Sequence, residues 1–128
     1  MSEYYVLDGR NVRQASDPIE WAVCFQTQDW RVAHTVAEHY EVSTVFLGAN
    51  QRAFTNGPPI LFETMVITSD RYKQLVPEAE SLDEVILRYS SWDDAEVGHA
   101  TQVRRIAKQV EMALMESFAD AEPGSPSR

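Results

Sequence analysis

The chain predicts an α+β domain in which an antiparallel sheet is packed by two α-helices, and three features carry that expectation. Residues 42–47 and 60–67 are rich in β-branched and aromatic side chains and flank a polar stretch holding Asn50, Asn56, Gly57, Pro58 and Pro59. Such side chains are stiff at χ1 and pack well on a pleated surface, and short runs bounded by turn residues favour strand over helix. From Ser91 onward, Trp92, Ala95, His99, Val103, Ile106, Val110, Ala113, Leu114 and Phe118 recur at helical spacing, as an amphipathic helix requires. The third feature is a shorter helix announced by Asp17-Pro18.

Taken in order, Tyr4-Tyr5-Val6-Leu7 and Arg10-Asn11-Val12-Arg13 are short extended runs on either side of Asp8-Gly9. Glycine accepts the positive φ of a tight hairpin turn, so strands are expected at about 3–7 and 10–14. Asp17 then serves as a helix cap, Pro18 suits the first turn, and Glu20 completes a capping box. On this helix, expected to end near residue 28, Ile19, Ala22, Val23 and Gln26 share one face, widened by Trp21, Cys24 and Phe25. Trp21 reads as a core anchor.

Val32, His34 and Val36 alternate with Arg31, Ala33 and Thr35. The expected meander therefore has strands at 31–36, 41–47 and 60–68, since sequential antiparallel strands are a common connection. Val45-Phe46-Leu47 and Ile60-Leu61-Phe62 are apolar on successive residues, the mark of central strands covered on both faces. Pro58 and Pro59 must lie outside the ladder, leaving a long loop over 48–59, where function often resides. Residues 69–81 read as a surface excursion, with one helical turn over 70–75, and residues 85–89 as an extended segment able to add an edge strand, although Asp83 and Glu84 ahead of it could equally open a short helix. Ser91 caps the last helix, and Asp93 and Asp94 suit the positive end of its dipole. Residues 1–118 are expected to form a single domain and 119–128 a flexible tail, because the terminal Pro-Gly-Ser-Pro stretch is poor in apolar groups.

The 128 residues suffice for a hydrophobic core without disulfides or a structural metal. The formal net charge of -9 argues against direct nucleic-acid binding, which needs clustered lysine and arginine. It suits solubility, a basic protein partner or mimicry of a polyanion. Cys24 is the only cysteine, so no intramolecular disulfide forms. It reads as a small apolar filler rather than a reactive thiol, since no cationic setting surrounds it. The chain opens with no basic segment followed by an apolar run and contains no membrane-length apolar stretch, so a cytoplasmic protein of the host cell is expected.

Two residues invite a chemical reading. Glu63 lies between Phe62 and Thr64, where a carboxylate either faces solvent, paired with an arginine of the next strand, or lines a pocket with a raised pKa. His99 falls on the apolar stripe of the last helix, beside Gly98. A glycine in a helix costs about 1 kcal/mol relative to alanine, which points to close approach by another group. His99 is then either a core histidine hydrogen-bonded to the sheet or a general base facing Glu63 across a pocket. His34, His39 and His99 have no metal-ligand spacing, the glycines form no phosphate-binding pattern, and no nucleophile elbow is present, so no metal or cofactor is expected. Arg52, Phe54 and Asn56, in the long loop, are the candidate binding residues.

Tyr4-Tyr5 with Leu7-Asp8-Gly9, Trp21, Val42-Ser43-Thr44-Val45-Phe46-Leu47-Gly48, Pro58-Pro59 with Leu61-Phe62-Glu63-Thr64-Met65, and Tyr89-Ser90-Ser91-Trp92 leading to Ala95, Gly98 and His99 resemble a family of small proteins encoded by bacteriophages and prophages. The resemblance covers roughly residues 4–105. The family has no assigned activity, so it supplies no catalytic residues. Where similar proteins carry Asp-His shortly after the glycine matching Gly48, this chain has Ala49-Asn50. The resulting expectation is a phage-derived accessory protein that binds a host or phage protein through a sheet edge or the 48–59 loop, without catalysis. One alternative is a small hydrolase or ligand-binding domain using Glu63 and His99. Another is an acidic inhibitor of a nucleic-acid-binding host defence protein.

Overall fold

The computed structural model describes residues 3–52, 57–76 and 86–121. β1 (Tyr5–Asp8) and β2 (Asn11–Gln14) form the expected N-terminal hairpin, with Asp8 paired to Asn11 and Gly9 at φ 65° in the turn. α1 (Pro18–Thr27) follows. β3 (Arg31–Val36), β4 (Tyr40–Phe46), β5 (Phe62–Thr68) and β6 (Ile86–Tyr89) build a four-stranded antiparallel sheet in the order β3-β4-β5-β6. α2 (Asp70–Leu75) connects toward β6, and α3 (Trp92–Ala121) closes the described chain.

The central hairpin is in the register the sequence implies, with Val42 opposite Val66, Thr44 opposite Thr64 and Phe46 opposite Phe62. These three pairs face α3. They belong to two apolar clusters with a polar layer between them. One cluster, toward the N-terminal hairpin, contains Leu7, Phe46, Leu61, Phe62 and Ala95. The other contains Val42, Val66, Tyr72, Ile106 and Val110. Each large apolar side chain removed from water in these clusters contributes about 1.5–3 kcal/mol, so α3 is held mainly by its stripe of Ala95, Ile106 and Val110.

Residues 86–89 pair with β5 as the edge strand they were able to add, Tyr89 lying opposite Phe62; Val85 lies outside the described residues. Three expectations are corrected. α1 does not lie on the sheet. It packs on β1 and turns Trp21, Cys24 and Phe25 inward, leaving Ile19 and Val23 exposed. The ring series Tyr4–Trp21–Phe25–Trp30, with centroids 4.9, 5.0 and 5.7 Å apart, fixes that direction. The segment after β5 is more than a surface excursion, since Ser69 caps α2 and Tyr72 is buried in the second cluster. Finally, α3 continues to Ala121, three residues past its expected end, and Phe118 is exposed rather than part of the inner stripe. Residues 122–128 lie outside the described residues.

Candidate functional site

The polar layer is organised by His99. Its ring is only 6% exposed. Nδ1 is 2.8 Å from the Thr44 hydroxyl, Nε2 is 2.9 Å from the Thr35 hydroxyl, and the Thr44 and Thr64 hydroxyls are 2.5 Å apart. A neutral imidazole has one donor and one acceptor nitrogen, so one threonine donates to the ring and the other accepts from it. The strand period places this set on one face, since alternate residues of a strand share a side. Thr44 and Thr64 stand directly opposite each other, and Thr35 follows Ala33, which pairs with Thr44. Burial, and secondarily the nearby His34, pushes the His99 pKa below its ordinary value. The ring is therefore a neutral, fully bonded core histidine.

Gly98 has the neighbour its position implied. A Cβ there would lie 2.2 Å from the Tyr89 hydroxyl oxygen and 2.3 Å from ring carbons of Tyr89. The glycine lets β6 and α3 approach, which seats the next residue, His99, against the strands.

Glu63 is on the other side of the sheet. It alternates with Phe62 and Thr64, and its side chain is 15% exposed, with Arg88 Nε 3.4 Å from its Oε2. Arg88 is its cross-strand neighbour on β6, so the carboxylate pairs with an arginine of the next strand. The sheet separates Glu63 from His99, and the two cannot act on one substrate. The hydrolase reading that joined them fails on this geometry.

The long loop is braced from within. The side-chain oxygen of Asn50 accepts from the Arg52 and Ile60 backbone N–H groups at 3.0 and 2.9 Å, and Arg52 Nε donates to the Pro58 carbonyl at 2.9 Å. Arg52 thus secures its own loop. Phe54 and Asn56 lie outside the described residues.

The face of the sheet turned away from α3 carries an arrangement the sequence reading passed over. Val36 and Ile67 flank Glu41, His34 and Met65 flank Ser43, and Val45 and Arg88 flank Glu63. Val36 is 69% exposed and Ile67 43%, with Met65 exposed between the two ends of the face. Glu41 is bonded to His34. Period-2 alternation across 31–36 and 62–68 was the available signal, but it does not show which face remains bare.

Among the described residues no group of three or more histidine, cysteine, aspartate or glutamate side chains could hold a metal ion, and no helix is long and apolar enough to cross a membrane. Among the described residues Glu20, Glu38, Glu63 and Glu96 each pair with an arginine. Comparison with protein families, curated proteins and solved structures finds no match.

Proposed function

We propose that this chain is an accessory domain, phage- or prophage-encoded as the sequence resemblance suggests, that acts by binding a protein and performs no catalysis. The observation that carries this reading is the face of the four-stranded sheet that no helix covers among the described residues. An antiparallel sheet with one uncovered face normally alternates apolar-in and polar-out. Here the outward positions include Val36, Met65 and Ile67, all exposed. Exposed apolar side chains on one face are typical of protein-binding surfaces. Glu41 lies between Val36 and Ile67, Glu63 pairs with Arg88 farther along the same face, and the chain as a whole carries -9. A partner that presents apolar and basic groups together fits both features. The 48–59 loop, secured by Asn50 and Arg52, joins β4 to β5 at the end of this face.

The reading is tested by affinity capture from host lysate with the tagged chain, followed by direct binding measurements on the recovered protein. Paired substitution Met65→Glu and Ile67→Glu is expected to abolish the binding while leaving the circular dichroism spectrum unchanged. Val97→Glu, on the far side of α3, is expected to leave it intact. Binding that survives the paired change removes the sheet face from consideration.

A further inference from the structure

We infer that Arg104, Arg105 and Lys108 of α3 form a docking patch for an acidic segment of a partner protein, one that also seats an apolar side chain beside Lys108. The patch is separate from the sheet face proposed above, which lies on the side of the sheet away from α3. Cations are scarce in this chain, with 11 lysine and arginine residues against 20 aspartate and glutamate. Arg10, Arg13, Arg71 and Arg88 each pair with a carboxylate. Arg104, Arg105 and Lys108 are all exposed, and among the described residues none of them has a carboxylate partner. The helical repeat puts the three on one face, with 104 and 108 about 6 Å apart along the axis.

Two of these cations are held in place by neutral groups. Gln102, only 6% exposed, accepts from Arg105 Nε at 3.1 Å and Nη2 at 2.9 Å, and Arg104 Nη2 donates to the Thr101 hydroxyl at 3.4 Å. Bonds to neutral oxygens orient a guanidinium without cancelling its charge. An arginine has five N–H donors, so those left over remain able to bind a carboxylate.

The neighbouring surface selects the occupant. Lys108 also lines an open groove of about 610 Å³ with His39, Tyr40, Ala107 and Glu111. The Tyr40 ring and the Ala107 methyl suit an apolar side chain, while Glu111 disfavours a second carboxylate there. Carboxylates therefore fall on Arg104, Arg105 and Lys108, and the apolar side chain falls in the groove. A long polyanion such as a nucleic acid is the poorer match, because it would meet a chain of net charge -9 with only these three cations to hold it.

The test is fluorescence anisotropy of the full chain with a fluorescein-labelled peptide of several glutamates flanked by leucines. Saturable binding that weakens with added salt is expected. Arg104→Gln with Lys108→Gln should weaken it about tenfold, the order expected for losing two exposed ion pairs. Arg104→Lys with Lys108→Arg, which keeps both charges, should retain it. Exchanging the peptide's glutamates for glutamine, or its leucines for serine, should each weaken binding. Met65→Glu with Ile67→Glu should leave it unchanged, which separates this patch from the sheet face. Absence of binding, indifference to the paired glutamine change or to either peptide change, or loss with the sheet-face pair would each overturn the assignment. Tighter binding of inorganic polyphosphate than of the peptide would overturn the choice of an acidic protein segment.

Discussion

Gly98 and His99 show how much of this structure turns on single side chains. At Gly98 the helix forgoes about 1 kcal/mol of intrinsic preference, and the contact with Tyr89 explains why. Gly98→Ala is expected to destabilise the fold by about 1–2 kcal/mol, since forcing a methyl into a packed contact costs about 1–3 kcal/mol against that helical gain. In a Tyr89→Ala background the same change should become stabilising, and urea unfolding of the four variants measures the difference. At His99 the consequence is a pH dependence. The ring is enclosed by Thr35, Thr44 and Thr64, with no carboxylate bonded to it, and its pKa is depressed in the folded state. Below about pH 6.5 the unfolded chain takes up a proton that the folded ring resists. Stability contributed by His99 therefore falls as pH drops from that value toward the folded pKa and then levels off. The difference between wild type and His99→Gln in unfolding free energy against pH isolates this limb, and a difference independent of pH would contradict it.

At the scale of elements, α1 and α3 behave differently although both look amphipathic in sequence. α3 has a single dominant inner stripe, so its orientation follows from periodicity. α1 carries apolar residues on several sides. Its inner face is chosen by Trp21 meeting Tyr4 and Gly48, and by Phe25 meeting Trp30. Its start is nevertheless decided locally. Asp17 accepts from the Glu20 N–H at 2.8 Å, Glu20 accepts from the Ser16 N–H at 2.7 Å, and Arg13 pairs with Glu20 at 2.8 Å. Asp17→Ala is expected to cost about 1 kcal/mol, as loss of a helix cap typically does, readable as a lower midpoint in thermal unfolding. The Arg13 guanidinium and the Ser16 N–H together lower the Glu20 pKa to about 2. The unfolded carboxyl binds its proton at higher pH than the folded one, so this stabilisation is present above about pH 4.5 and is lost as pH falls toward the folded pKa. Glu20→Gln should flatten that acid limb of the unfolding curve.

At the scale of the molecule, α3 covers one face of the four-stranded sheet, and among the described residues no helix covers the other. Because Met65 and Ile67 are exposed on that face, Met65→Glu with Ile67→Glu should change folding stability by no more than about 0.5 kcal/mol per site, as is usual for surface substitutions. A larger loss in urea unfolding would mean that the face contributes to the fold itself.

Strands, the N-terminal turn and helix starts were legible before the fold because each has a local cause: a β-branched run, an Asp-Gly pair, or a side chain that satisfies a free N–H. The closeness of something to Gly98 was legible too, since glycine in a helix is a conspicuous cost, although its neighbour Tyr89 was not. The pairing of Thr35 and Thr44 with one imidazole, and of Thr64 with Thr44, was hidden because a strand threonine looks the same whether its hydroxyl meets water or another side chain. The side of the sheet on which Glu63 falls, the bare face with Val36 and Ile67, and the docking of α1 on the hairpin depended on which elements came to lie against which. Local chemistry limits each segment to a few conformations, but the burial of a face is a property of its neighbours in space, so only the packed chain decides it.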